Sequence, residues 1–346
     1  MSRAPLFLTA ALVLSATVGC GPQFDLSSEL KSLRVLTVKK DKPYAQPGET
    51  VKLQMLWHDA MGPRDVQRLF IGGCTNPPAD LYYGCFPQIA ELFSRGELKV
   101  ESGDTFEVTV PTDVISSRSG PMEPGQEPYG LSVVFFAACA GKLDLDISAA
   151  PSGDGTGGVP LRCLDENDEP VGSDDFVVGY TSIYSFLGID NENPKFVLDG
   201  EKTTFNVAGQ SAPADCVSEP CQGAADVEID CSAEGETRCV AACAEDGDSS
   251  CPGIHVAPLI DETVERDEHT SDLVGAPTGE QMWVNYYVDR GSISEVRLVN
   301  DVTTGWNPEY RGELRAPKEP GPMKVWAVVH DNRGGIDFTR ITLMVQ

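Results

Sequence analysis

The stretch QPGETVKLQMLWHD, Gln46 to Asp59, opens as a turn and continues as a strand. Pro47 presets φ and Gly48 supplies permissive dihedrals, the chemistry of a tight reversal. After it Val51, Leu53, Met55 and Trp57 alternate with Lys52, Gln54 and His58, and Leu56 is the one apolar residue out of phase. A period of two puts alternate side chains on opposite faces, so the stretch predicts a strand with one face in a core.

The same pattern recurs along the chain. Phe106, Val108 and Val110 alternate with Glu107 and Thr109. Val133 to Ala140, VVFFAACA, is continuously apolar, which predicts a strand covered on both faces. Met282, Val284, Tyr286 and Val288 alternate with Trp283, Asn285 and Tyr287, and KVWAVVHDNRGGIDFTRITLMV reads as a closing hairpin, with Ile341, Leu343 and Val345 on one face of its last strand. LRCLDENDEPVGSDDFVVGYTSIYSF reads as a second hairpin with an acidic tip. The best helical candidate is PADLYYGCFPQIAELF, which Pro87 is expected to break and keep short.

The amino terminus predicts export. Ala4 to Gly19 carries no charge and Arg3 precedes it, the layout of a signal peptide over 1–19. The run is shorter than the roughly 20 apolar residues that span a bilayer. Thr17-Val18-Gly19-Cys20 resembles the bacterial lipobox, in which a cysteine after small residues is acylated and becomes the first residue. That resemblance makes Cys20 a lipid attachment site, with 20–30 as a polar tether. Gly21 is not the aspartate that retains many such proteins at the inner membrane, so the expected address is the outer membrane.

The chain has 53 acidic and 26 basic residues, a formal charge of −27. Such acidity argues against nucleic acid as a partner, since basic patches must neutralise its phosphates. Eleven cysteines less Cys20 leave an even number, which in an oxidising compartment predicts disulfides. Short separations favour Cys74–Cys85 and Cys139–Cys163. The remaining six, Cys216, Cys221, Cys231, Cys239, Cys243 and Cys251, lie among glycine, alanine and acids, too poor in apolar bulk to order without cross-links. They mark 209–254 as a stapled insertion whose pairing stays open.

AQPGETVKLQMLWHD resembles the opening strands of bacterial immunoglobulin-like domains, and VWAVVHDNRGG resembles their final pair. The chain as a whole looks like bacterial envelope lipoproteins built from such modules. The resemblance implies an all-β chain of two Ig-like sandwiches, 31–186 and 187–346, the second carrying the Cys-rich insertion. It departs from antibody domains in lacking a Cys…Trp…Cys framework.

Chemistry is sparse. His58, His255, His269 and His330 form no metal-binding pair, and neither a GxSxG elbow nor a phosphate loop is present. Gly153-x-Gly155-x-x-Gly158 copies the dinucleotide fingerprint but runs into a proline and a strand, where that site needs a helix. Calcium is the one cofactor considered: Asp246 and Asp248 alternate in AEDGDSSC, and DENDEPVGSDD gathers Asp165, Asp168, Asp174 and Asp175, but neither completes an EF-hand loop. Trp306, in TTGWNPEY, is the candidate for stacking on a sugar ring, whereas Trp57, Trp283 and Trp326 are expected in the core. The expectation is a non-enzymatic, membrane-anchored protein that binds an envelope protein or glycan. An exported hydrolase using paired carboxylates and a calcium-stabilised module are the alternatives.

Overall fold

A computed structural model describes residues 26–118, 127–145, 161–199, 202–218, 221–246, 251–267, 271, 275, 277–301 and 305–346. Cys20, Asp248, His269 and the glycine triplet at 153–158 lie outside these residues. Among the described residues no helix is long and apolar enough to cross a membrane.

The first half holds β1 (Leu33–Lys40), β2 (Thr50–Asp59), β3 (Gln67–Thr75), helix α1 (Phe86–Ser94), β4 (Val100–Ser102) and β5 (Thr105–Thr109). It continues with β6 (Tyr129–Cys139), β7 (Lys142–Leu145), β8 (Leu161–Leu164) and β9 (Phe176–Phe186). The sheets run β1-β2-β5 and β4-β3-β6-β9, with β7-β8 a separate hairpin. Counting the seven principal strands in chain order, one sheet is 1-2-5 and the other 4-3-6-7, an Ig-like Greek-key sandwich. Val51, Leu53 and Met55 of β2 meet Phe70, Val134 and Ile183 of the opposite sheet in a closed core.

The outer face of the four-stranded sheet is also covered. Leu131, Val133, Phe135 and Ala137 of β6 pack there against Phe86 and Ile89 of α1 and Leu161 of β8. That double burial is why VVFFAACA reads without alternation. Pro87 does not break α1; it occupies the first turn, where its missing N–H has no intrahelical acceptor to lose. The acidic segment differs from the expected hairpin: β8 pairs with β7 and β9 with β6, so the two strands belong to different sheets.

The second half is assembled from β10 (Leu198–Asp199), β11 (Lys202–Val207), β12 (Gln210–Pro213), β13 (Cys216–Val217), β14 (Cys239–Val240), β15 (Ile254–Pro258) and β16 (Met282–Val288). Then follow β17 (Ser292–Ile293), β18 (Val296–Leu298), β19 (Asn300–Asp301), β20 (Gly305–Trp306), β21 (Gly312–Arg315), β22 (Gly321–Asp331) and β23 (Ile336–Val345). One sheet contains β11-β15-β21 and the other β23-β22-β16-β18. Taking β11, β15, β16, β18, β21, β22 and β23 as the principal strands gives 1-2-5 and 4-3-6-7 again. The two halves share one topology.

The Cys-rich segment lies between the first two principal strands of this second sandwich. It is woven into the fold rather than appended to it: β12 pairs with β11, β13 pairs antiparallel with β23, and β14 pairs parallel with β23. Its six cysteines join in consecutive pairs along the chain, Cys216–Cys221, Cys231–Cys239 and Cys243–Cys251. Cys74–Cys85 ties β3 to the approach of α1, and Cys139–Cys163 ties β6 to β8.

The sandwiches pack against each other. Leu36 and Leu56, from the outer face of β1-β2, join Trp326, Val328 and Phe338 of β22-β23 in one apolar cluster. This explains the out-of-phase Leu56, which is 1% exposed. Leu36 lies in a bulge of β1, between Val35 and Thr37, the only break in that strand's register with β2. Lys39 pairs with Asp337, and the Trp57 N–H donates to Gln222 Oε1 at 2.9 Å. Asn193 splints the junction, donating to the Lys40 carbonyl and accepting from the Ile336 N–H. Residues 26–30 are not a free tether. Leu30 N–H donates to the Val288 carbonyl and Ser28 Oγ to that of Ile293, and both residues are buried.

Candidate functional site

On β9, Tyr180 and Tyr184 are four residues apart, so they project from the same face of the sheet. This is the face that α1 covers near the middle of β6, since Phe135 and Leu131 are their cross-strand partners. Beyond the helix, among the described residues, aromatic rings take the place of that cover. The Cys74–Cys85 bridge holds the short 3-10 turn Tyr82–Cys85 over this margin. Tyr82 there stacks on Tyr180, with centroids 4.7 Å apart and planes at 20°. Tyr83 meets Tyr82 edge-on. Further along, Tyr184 packs on Tyr129 and Phe186, and Phe186 on Tyr44.

The rings are not buried. Tyr82, Tyr83, Tyr180 and Tyr184 are between 37% and 49% exposed. Gly179 makes the local geometry possible: a Cβ there would lie 2.5 Å from Cζ of Phe136, on the inner face.

A fixed polar group borders the rings. Asp80 accepts two hydrogen bonds from Arg118 Nη2, at 2.7 and 2.8 Å, and one from the Tyr129 hydroxyl. The Arg118 guanidinium lies over the Tyr129 ring, 3.9 Å from its centroid. Burial opposes ionisation of Asp80, but the bonds from Arg118 and Tyr129 outweigh it and hold the carboxyl below its usual range. Burial, and next the Asp80 carboxylate, raise the Tyr129 phenol. Ala79 and Asp80 both take positive φ, 57° and 58°, so the loop that carries the carboxylate is held in a conformation few L-residues adopt.

The residues singled out by sequence are dispersed. Trp306 is half-buried, packs edge-on against Tyr310 and lies against the second core. Trp326 is buried, but Trp57 and Trp283 are only half-buried: the Trp57 indole donates to Asp104 beneath the Arg68 guanidinium, and Trp283 stacks on His330. Trp57 shares the inner face of β2 with Met55 but sits at the margin of that core, whereas Trp283 lies on the outer face of its sheet, where period-two reading cannot distinguish core from cover. Asp246 accepts the Lys318 backbone N–H. Asp175 pairs with Arg64, and Asp165 accepts the N–H groups of Asn167 and Glu169. Among the described residues no group of three or more His, Cys, Asp or Glu is placed to hold a metal. Burial lowers His58 and His330 to about 4, with Lys324 adding to the effect at His58; both are neutral packing partners at pH 7.

Tyr82, Tyr83, Tyr129, Tyr180 and Tyr184 were not among the residues expected from the sequence. The available signal was the i, i+4 pair of tyrosines in FVVGYTSIYSF, where one apolar set faces the core and the other does not.

No family pattern and no curated protein sequence matches this chain. Among solved structures it is similar to the fibronectin(III)-like modules of Clostridium thermocellum CbhA, at 9% identity over 90% of this chain and 94% of that one, with a TM-score of 0.20. The Ig-like assignment rests on the strand order described above.

Proposed function

We propose that this chain is a non-enzymatic lipoprotein of the bacterial envelope, anchored through Cys20 in the outer membrane, which holds a partner against the tyrosine face of its first sandwich. The observation that carries the binding role is the set of four part-exposed tyrosines around β9. Aromatic residues with a wet polar tip are the side chains enriched in recognition surfaces. The sheet beneath them is braced by Cys74–Cys85 and Cys139–Cys163, so the surface is ordered before any partner arrives. The lipobox-like TVGC and the bridges support export. With Leu30 docked in the fold, the leash from Cys20 to Leu26 reaches roughly 20 Å at most, and the anchor would hold the second sandwich close to the bilayer.

Two arms test this reading. Fractionation of cells should find the wild-type chain in the outer membrane and Cys20→Ser released from it. Purified protein should co-sediment with washed envelopes, and Tyr180→Ala/Tyr184→Ala should lose that association while melting as the wild type does. Release of the wild-type chain, or equal sedimentation of the double variant, would refute the anchor or the face respectively.

A further inference from the structure

We infer that the occupant of the tyrosine face is an uncharged glycan, its sugar rings lying on Tyr82, Tyr180 and Tyr184. This rests on the reading above that the face is the binding surface, and adds the chemistry of the ligand.

Three observations select that chemistry. First, the exposed rings belong to tyrosines: none of Tyr82, Tyr83, Tyr180 or Tyr184 has a hydroxyl hydrogen-bonded among the described residues, so flat apolar surface lies beside free donor–acceptor groups. A pyranose offers the matching surface, C–H groups on its faces and hydroxyls around its rim. Second, Asp80 and Arg118 at the border are already paired, so this polar group offers no unmatched charge to an ionic ligand. The whole chain carries −27, which repels polyanions such as acidic polysaccharides and anionic headgroups. Third, the platform is long and rigid. Tyr180 and Tyr184 are about 13 Å apart along an extended strand, a length suited to a linear oligosaccharide. Tyr82, stacked on Tyr180, widens the platform at one end. A protein partner with an apolar anchor would need a pocket to receive it, and Tyr82, Tyr180 and Tyr184 line neither of two polar clefts among the described residues, one bordered by Glu29, Asp246 and Arg290 and the other by Asp41, Tyr44 and Asp190.

The test is an array of soluble cello-, chito-, malto- and xylo-oligosaccharides, with hyaluronan as the polyanionic control, probed with detergent-solubilised mature protein. At least one neutral series should bind and hyaluronan should not. Tyr180→Ala should weaken binding about tenfold or more, as for loss of a central aromatic contact. Tyr180→Phe keeps the ring and should weaken it by less than about threefold, the effect of one modest hydrogen bond. Tyr184→Ala provides a second exposed position should the first variant melt early, and Trp306→Ala should leave binding unchanged. Absence of binding to every neutral series, or retention of full affinity in both alanine variants, overturns the inference. A photo-cross-linker at position 180 that captures an envelope protein, with no sugar bound, overturns the glycan assignment while leaving the face as the binding surface.

Discussion

The Lys39 ammonium lies 2.9 Å from the Asp337 carboxylate and 2.7 Å from the Ser218 hydroxyl, joining β1 of the first sandwich to β23 of the second. Both charged side chains are largely shielded, and Asp337 also accepts the Ser218 hydroxyl and the Phe338 N–H. Removing the carboxylate strands an ammonium in a shielded site. Asp337→Ala should therefore lower the unfolding free energy by about 3 kcal/mol, and Lys39→Met by less, because methionine keeps the apolar stem. A double-mutant cycle by urea unfolding should give a coupling above about 1 kcal/mol. Additive effects would remove the pair from the interface energetics.

The two sandwiches should unfold with acid through their buried histidines. His330, stacked on Trp283 and lowered by burial to about 4, stays neutral in the fold while the unfolded chain protonates near 6.5. Between those values the unfolded state binds the extra proton, so stability falls as pH drops from about 6.5 to 4, by up to about 3 kcal/mol for this group. His330→Phe should flatten the fall in melting temperature over that window. A variant curve parallel to the wild type would show that His330 is not responsible.

Disulfide removal should rank by loop length. Cys139–Cys163 closes a separation of 24 residues and Cys216–Cys221 one of 5. The chain-entropy account gives about 3.5 kcal/mol for the first and about 2 kcal/mol for the second. Serine pairs at each site, compared by denaturant melts, should follow that order. The shorter loop also carries Ser218 and precedes Gln222, so its loss should expose Trp57 and Trp326 to quenchers before global unfolding.

Gly179→Ala should destabilise by about 2 kcal/mol, because the added methyl overlaps the Phe136 ring on β6. Phe136→Leu in the same chain should restore part of the loss. Thermal melts of the three proteins decide it, and a Gly179→Ala variant as stable as the parent would place Phe136 elsewhere.

The strands were legible where one face is buried and the other wet, as in β16, whose seven residues alternate buried and half-buried without a break. The uninterrupted run at 133–140 was legible for the opposite reason, since α1 and β8 cover the sheet's second face. What escaped was long-range. Leu56 broke period because a second sandwich covers β2, and no local pattern announces that. The acidic segment suggested a hairpin because turn chemistry is local, while β9 pairs with β6, more than thirty residues earlier. The Cys-rich segment was legible as an insertion, but its pairings with β11 and β23 were not, because its strands are two to four residues long, too short to show alternation. The tyrosine face was hidden because an aromatic residue in a strand reads equally as core.

The measurement closest to the central claim is intact-mass spectrometry of the protein extracted from the envelope under non-reducing conditions with thiols blocked. The expected species begins at an acylated Cys20, with the other ten cysteines oxidised in five bridges. A chain beginning at Met1, recovered from the cytosol with alkylated thiols, would contradict it.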